Sequence, residues 1–371
     1  MNAIDKLHAL GQSLWYDNIE RHLLASGELA AMVARGEIRG VTSNPSIFSN
    51  AIVNSHNYDY DLITLAEDDY SSEQIYESLA IADIQGACDV FLPLYEQSNG
   101  GDGYVSLEVS PYLARDTEKT CQEAKRLWKR VGRPNLMIKI PATVEGLPAI
   151  TRTIAAGINV NVTLIFSIRR YEAVMDAYLT GLEQRLATGE PIDGIASVAS
   201  FFVSRIDSNI DARLQTLVDA GGDLAPRAAA LQGKIAIANA RLAFVCHKEV
   251  FAGERWEKIA DMGGQIQRAL WASTSTKNPA YKDTLYIDEL IGANTVNTVP
   301  PATLVAFGDH GVAALTLDAD VAAAQAAMDG LAALGISMDT VTQELEVEGV
   351  KKFAEAFTIL LNAVEQRMRR V

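Results

Sequence analysis

The sequence predicts an α/β fold, a closed (β/α)8 barrel of the TIM type with additional C-terminal helices. Three observations carry this reading. Short apolar runs alternate with longer amphipathic stretches eight times between residues 14 and 299. Many of the short runs are unalternated, as parallel strands are when other elements cover both faces of their sheet. After Pro300-Pro301 the rhythm stops, and Ala-rich helical sequence continues to Val371. Eight such repeats favour closure over an open, doubly wound sheet.

In chain order, strands are expected at 14–17, 40–43, 104–109, 136–140, 160–166, 195–203, 270–273 and 295–299. Helices are expected between them at 19–35, 72–97, 117–131, 147–156 and 169–188, and 209–250 is long enough for two. Boundary signals agree with these spans. Asn99-Gly100-Gly101-Asp102-Gly103 is a turn leading into the third strand. Asp116-Thr117 and Thr143 have the character of helix caps, and Gly132-Arg133-Pro134 ends one helix just before a strand. No low-complexity linker interrupts the chain. Residues 1–371 are therefore read as one barrel domain, with 302–371 a helical extension packed against it.

Charge and composition bound the function. The chain carries 32 Lys and Arg against 47 Asp and Glu, so 32 − 47 gives a formal net charge of −15. Such acidity argues against an unspecific nucleic-acid partner, because neutralising a phosphate backbone takes an excess of cations. A small phosphorylated ligand needs only two or three local ones. No uncharged apolar run approaches the ~18 residues of a membrane span. The N-terminus reads as the opening of a helix, not a signal peptide. Cys88, Cys121 and Cys246 lie far apart without a C-x-x-C pair. Together these features predict a soluble, reduced, cytoplasmic protein without a membrane partner. The oligomeric state, monomer or homodimer, stays open.

Polar residues gather at the ends of the predicted strands, where barrels place their functional groups. Asp17 ends the first strand, and Asn44 follows the second. Glu108 and Lys139 lie in the third and fourth. Asn161 and Thr163, two residues apart, share one face of the fifth. Ser200 and Arg205 follow from the sixth, Ser273 and Lys277 from the seventh. Lys139 is the most informative, because Leu136, Met137, Ile138 and Ile140 surround it. Two readings fit a lysine in an apolar strand. It snorkels or is ion-paired, for instance with Glu108. Alternatively it is a desolvated amine able to attack a carbonyl and form a Schiff base, with Glu108 activating water and moving protons. Each companion has a plainer reading too: Asp17 as a helix cap, Asn44 as turn chemistry before Pro45, Thr163 as a strand former, Arg205 and Lys277 as solvated charges. What favours a site is that all fall at strand ends together. The five histidines lack metal-ligand spacing, no phosphate-binding or dinucleotide-binding glycine loop occurs, and no G-x-S-x-G elbow is present. The acceptor triplet Asn161-Val162-Thr163 lies in a predicted buried strand and is discounted as a glycosylation site.

The strings L-W-Y-D-N-I, G-V-T-S-N-P-S-I-F, V-S-L-E-V-S-P, M-I-K-I-P-A-T, I-N-V-N-V-T-L-I-F-S, S-F-F-V-S-R-I-D and L-W-A-S-T-S-T-K-N resemble, in order, the strand motifs of the transaldolase family, in its longer bacterial type. The resemblance runs from about Ser13 to Pro300. It implies a class I aldolase barrel that uses no cofactor and no metal. Lys139 on the fourth strand would form the Schiff base with a sugar phosphate such as sedoheptulose 7-phosphate or fructose 6-phosphate. Glu108 and Thr163 would manage the catalytic water, and Asp17 the proton of the C4 hydroxyl. Asn44 and Asn161 would hold the hydroxyls of the retained dihydroxyacetone unit. Ser200, Arg205, Ser273 and Lys277 would bind phosphate, with Phe202 walling the pocket. The implied function is transfer of dihydroxyacetone to glyceraldehyde 3-phosphate or erythrose 4-phosphate, in the non-oxidative pentose phosphate pathway. The seventh motif departs from the family's usual A-S-F-R-N: it is two residues longer and offers a lysine, so Lys277 would lack the bidentate fork of an arginine.

Two alternatives remain at this point. A related aldolase would release free dihydroxyacetone, and the glutamate at position 108, where such aldolases carry a glutamine, leans toward transfer. A catalytically silent barrel would serve as a scaffold, against which the intact set of Lys139, Glu108 and Asp17 argues.

Overall fold

The computed structural model describes residues 2–67 and 70–369. Eight parallel strands close a barrel in sequence order: β1 (Gln12–Tyr16), β2 (Gly40–Val41), β3 (Tyr104–Glu108), β4 (Leu136–Pro141), β5 (Val160–Ile165), β6 (Ser197–Phe202), β7 (Arg268–Ala272) and β8 (Thr295–Val299). The seam joins β1 to β8 from Gln12 beside Thr295 to Tyr16 beside Val299. Nearly every strand residue is buried, as helices outside and side chains inside require. The strand bounds differ from the sequence expectation by at most two residues.

Helices depart further. The expected helix 19–35 is two short ones, Arg21–Ala25 and Glu28–Ala34, because Gly27 sits at φ 77° between them. Only glycine takes that left-handed conformation without cost, so the apolar rhythm runs on while the backbone turns. The stretch expected to hold two helices within 209–250 instead contains parts of three: Ser204–Ala220, the short Ala225–Ala229, and Ile235–Val250. Gly221 and Gly222, both at positive φ, separate the first two. Two helices that no periodicity announced, Pro45–Val53 and Asp59–Glu67, follow β2. The boundary signals behave as read. Asp116 accepts from the Lys119 N–H, Gly132 ends its helix at φ 61°, and Thr143 Oγ1 accepts from the Gly146 N–H at 2.9 Å.

Register then sets the interior. Glu108 on β3 stands beside Lys139 on β4, which stands beside Asn161 on β5, so the three side chains occupy one level and point the same way. In β5 the pairing with β6 shifts between Val162 and Ile165, where Leu164 adopts φ 61°. Beyond the barrel, the long helix Met338–Met368 packs along Pro45–Val53 and Ser72–Gln97. Phe357 meets Tyr76 and Tyr112 edge-on, and Arg367 donates to the Ser55 carbonyl at 2.7 Å and to that of Ile52. No single helix among the described residues is long and apolar enough to cross a membrane.

Candidate active site

At the C-terminal ends of the strands lies a cavity of about 250 Å³. Asp17, Asn44, Lys139, Ser200, Phe202, Arg205, Ser273 and Lys277 line it. The sequence expectation thus converges on one place, apart from Glu108, Asn161 and Thr163, which stand immediately behind that lining on β3 and β5.

Lys139 is 4 % exposed. Its Nζ lies 3.5 Å from Glu108 Oε2 and donates to the Ser43 carbonyl at 3.2 Å. The ion-paired reading of this lysine is therefore met, and so is its placement at the barrel mouth. Glu108 is equally enclosed. Burial pushes its carboxyl up to about 7, and the Lys139 ammonium pulls the other way. Oε2 of Glu108 has no hydrogen-bond partner beyond that long contact with Lys139, so it keeps accepting capacity beside the amine. Burial also raises the Asp17 carboxyl, again opposed by Lys139 and then by a hydrogen bond from Thr42. Thr42 Oγ1 donates to Asp17 Oδ1 at 2.6 Å. A hydroxyl has one hydrogen, so Thr42 must accept from Thr298 Oγ1, also at 2.6 Å. Asp17 caps no helix, since Glu20 occupies that position ahead of Arg21–Ala25.

The fifth strand supplies a hydrogen-bonded platform. Asn161 Nδ2 donates to Ser106 Oγ at 3.0 Å, while its Oδ1 accepts from Ser200 Oγ at 2.7 Å. Its orientation is fixed, and Nδ2 keeps a second N–H. Thr163, on the same face, is fully buried and its hydroxyl has no partner. An orphaned buried hydroxyl costs stability, and this one keeps its hydrogen-bonding capacity for a ligand on the strand face it shares with Asn161. Asn44 does double duty. Its side-chain oxygen caps Pro45–Val53 through the Ile47 N–H at 3.1 Å, which leaves the amide nitrogen toward the cavity.

At the other end the cavity is cationic. Arg205, in the first turn of Ser204–Ala220, has no carboxylate within ion-pair distance among the described residues. Burial holds its guanidinium below the usual arginine range. Lys277 reaches in from the loop after β7, where burial and then the Arg205 charge lower its ammonium; it donates to Ser275 Oγ at 2.7 Å. Ser273 sits between, at φ 56°, a conformation rare for a residue with a Cβ, with its Oγ 2.9 Å from Ser204 Oγ. Two cations without ion-pair partners among the described residues, beside hydroxyl donors, are an arrangement that can hold an anion.

Sequence reasoning missed several contributors. Thr42 stood in the quoted G-V-T-S-N string without a role, and Ser106, likewise, lay inside V-S-L-E-V-S-P. Thr298 had the look of a plain strand residue. Phe353, from the helix Met338–Met368, lines the cavity and had no motif around it.

A family model described as transaldolase/fructose-6-phosphate aldolase matches residues 14–364. The chain is 48% identical to a transaldolase of Trichodesmium erythraeum (strain IMS101), over 100% of this chain and 98% of that one. It is 49% identical to a transaldolase of Thermobifida fusca (strain YX), over 99% and 98%. A transaldolase of Saccharopolyspora erythraea is 50% identical over 98% and 97%.

Proposed function

The chain belongs to the transaldolase/fructose-6-phosphate aldolase family and acts as a transaldolase, and from that premise we propose how its residues divide the reaction. Lys139 attacks the C2 carbonyl of a ketose phosphate such as fructose 6-phosphate or sedoheptulose 7-phosphate. The carbinolamine loses water to give an iminium, with Glu108 moving the protons and the unpartnered Thr163 hydroxyl helping to hold the water. Asp17 takes the proton from the C4 hydroxyl. The C3–C4 bond then breaks, its electrons flow into the iminium, and an aldose phosphate departs. A dihydroxyacetone unit remains as an enamine on Lys139.

An incoming aldose phosphate, glyceraldehyde 3-phosphate or erythrose 4-phosphate, reverses the sequence. Its aldehyde carbon bonds to C3 of the enamine, and Asp17 returns a proton to the new alkoxide. Water, activated by Glu108, then frees the product from Lys139. The amide nitrogens of Asn44 and Asn161 hold the three-carbon unit by its hydroxyls, beside Ser200 and against Phe202. Arg205, Ser273 and Lys277 take the phosphate of either partner. Charge-assisted hydrogen bonds at that remote end fix the sugar so that its carbonyl meets the amine in reacting geometry.

The observation that carries this reading is the enclosed Lys139 amine 3.5 Å from Glu108 at the mouth of the barrel. Borohydride reduction in the presence of fructose 6-phosphate, followed by peptide mass spectrometry, is expected to fix the three-carbon adduct to Lys139. A Lys139→Ala variant is expected to lose turnover and labelling together. An adduct on another lysine would contradict the assignment.

A further inference from the structure

One wall of the cavity comes from outside the barrel. Phe353 lies midway along Met338–Met368, is 6 % exposed, and lines the cavity. Two cations face its ring: Lys139 Nζ and Arg205 Cζ each stand 5.9 Å from the centroid. Phe202 offers Arg205 a second ring at 5.1 Å. An aromatic face attracts a cation without taking up its N–H groups or its charge. Arg205 is thereby held in place while remaining free to donate to a phosphate. Over Lys139 the same ring presents hydrocarbon, which neither accepts the amine's proton nor carries water.

The helix is seated closely enough for this to be a fixed contact. Gly349, four residues before Phe353 and so on the same helical face, approaches the barrel rim. A Cβ there would stand 3.0 Å from Leu164 Cδ2 and 3.7 Å from Arg205 Nη1. The Leu164 side chain is carried there by the irregular, positive-φ end of β5. Depth of the helix, and with it the height of Phe353, is set by that contact.

We propose that Phe353 is a positioning residue that holds Arg205 toward the substrate phosphate and screens the Lys139 adduct from bulk water, so that the enamine is passed to an aldose instead of being released. Release needs a proton from water on C3 of the enamine. Water then adds to the resulting iminium, which splits into the free amine and dihydroxyacetone. This inference rests on the Lys139 assignment above.

The test compares Phe353→Leu with Phe357→Leu, whose ring lies on the same helix but packs on Tyr76 and Tyr112. In Phe353→Leu, KM for fructose 6-phosphate is expected to rise about 5–10-fold, the loss typical of a desolvated cation–π contact. The ratio of free dihydroxyacetone to transferred product is expected to rise at least about fivefold with it. Phe357→Leu is expected to keep both at wild-type values. Should Phe353→Leu fail to fold, Phe353→Met carries the same expectation with a flexible side chain of similar volume. Wild-type KM and product ratio in the folded Phe353 variant would overturn the inference, as would an equal shift in Phe357→Leu. Borohydride trapping on the wild type separates the two levels. With Lys139 labelled and the ratio unmoved, Phe353 alone loses its role; with Lys139 unlabelled, the reading beneath it fails.

Discussion

Replacing Arg205 with methionine separates the phosphate from the rest of the sugar. The guanidinium is half-buried over Phe202 and Phe353 and has no acidic partner among the described residues. Its hydrogen-bonding capacity is therefore left for a ligand. A charge-assisted hydrogen bond contributes about 1.5–3 kcal/mol. A bidentate pair, reduced because Lys277 and Ser273 remain, comes to about 3–4 kcal/mol. At 1.4 kcal/mol per tenfold, kcat/KM for fructose 6-phosphate with glyceraldehyde 3-phosphate should fall by about 10²–10³. Methionine keeps an apolar stem against both rings, so the walls stay in place. The assay sets this pair of substrates beside fructose with glyceraldehyde, which carry no phosphate and should react within about threefold of the wild-type rate. Because burial disfavours the Arg205 charge in the fold, removing it is expected to leave the thermal midpoint at or above that of the wild type. Equal losses for both substrate pairs would refute the reasoning and put Arg205 into the bond-making steps. So would a loss below tenfold for the phosphorylated pair.

Two further outcomes follow from the same site. Glu108 titrates at about 7, raised by burial, so its base form accumulates as pH rises through that value. The kcat/KM profile is expected to climb along that limb, and Glu108→Gln to flatten it while lowering kcat by about 10²–10⁴; a variant that keeps the limb would assign it to another group. Thr163→Val exchanges an unpartnered buried hydroxyl for a methyl of like shape. Calorimetry is expected to show a gain of about 1 kcal/mol, while turnover drops at least about tenfold through loss of the water it helps to hold. Lower stability with full turnover would mean that Thr163 serves only the strand.

The level of Glu108, Lys139 and Asn161 was legible because it breaks a rule. A lysine within Leu136–Ile140 and a carboxylate in the strand before it contradict the apolar character of their surroundings, and strand parity then puts Asn161 and Thr163 on the same side. The eight strands were legible for the complementary reason, since parallel strands covered on both faces keep an uninterrupted apolar signal. The break at Gly27 was not, because hydrophobic spacing continues through a turn that one left-handed residue makes. Helix Pro45–Val53 hid in a stretch of serines and asparagines that dilutes its periodicity. Phe353 was invisible for another reason. An aromatic on an amphipathic helix has the signature of any core residue, and only the three-dimensional path of that helix brings it above Lys139. That the Thr163 hydroxyl is buried without a partner is likewise visible only in three dimensions.

That helix follows all eight strands in the chain, although Arg367 near its end grips carbonyls at Ile52 and Ser55. All eight strands are translated before Met338, so a nascent chain can assemble the ring while its upper opening is still bare. A polypeptide stalled short of Phe353 would carry Lys139 without the ring that faces it. The ring that faces this amine therefore comes from a part of the chain made after the barrel itself.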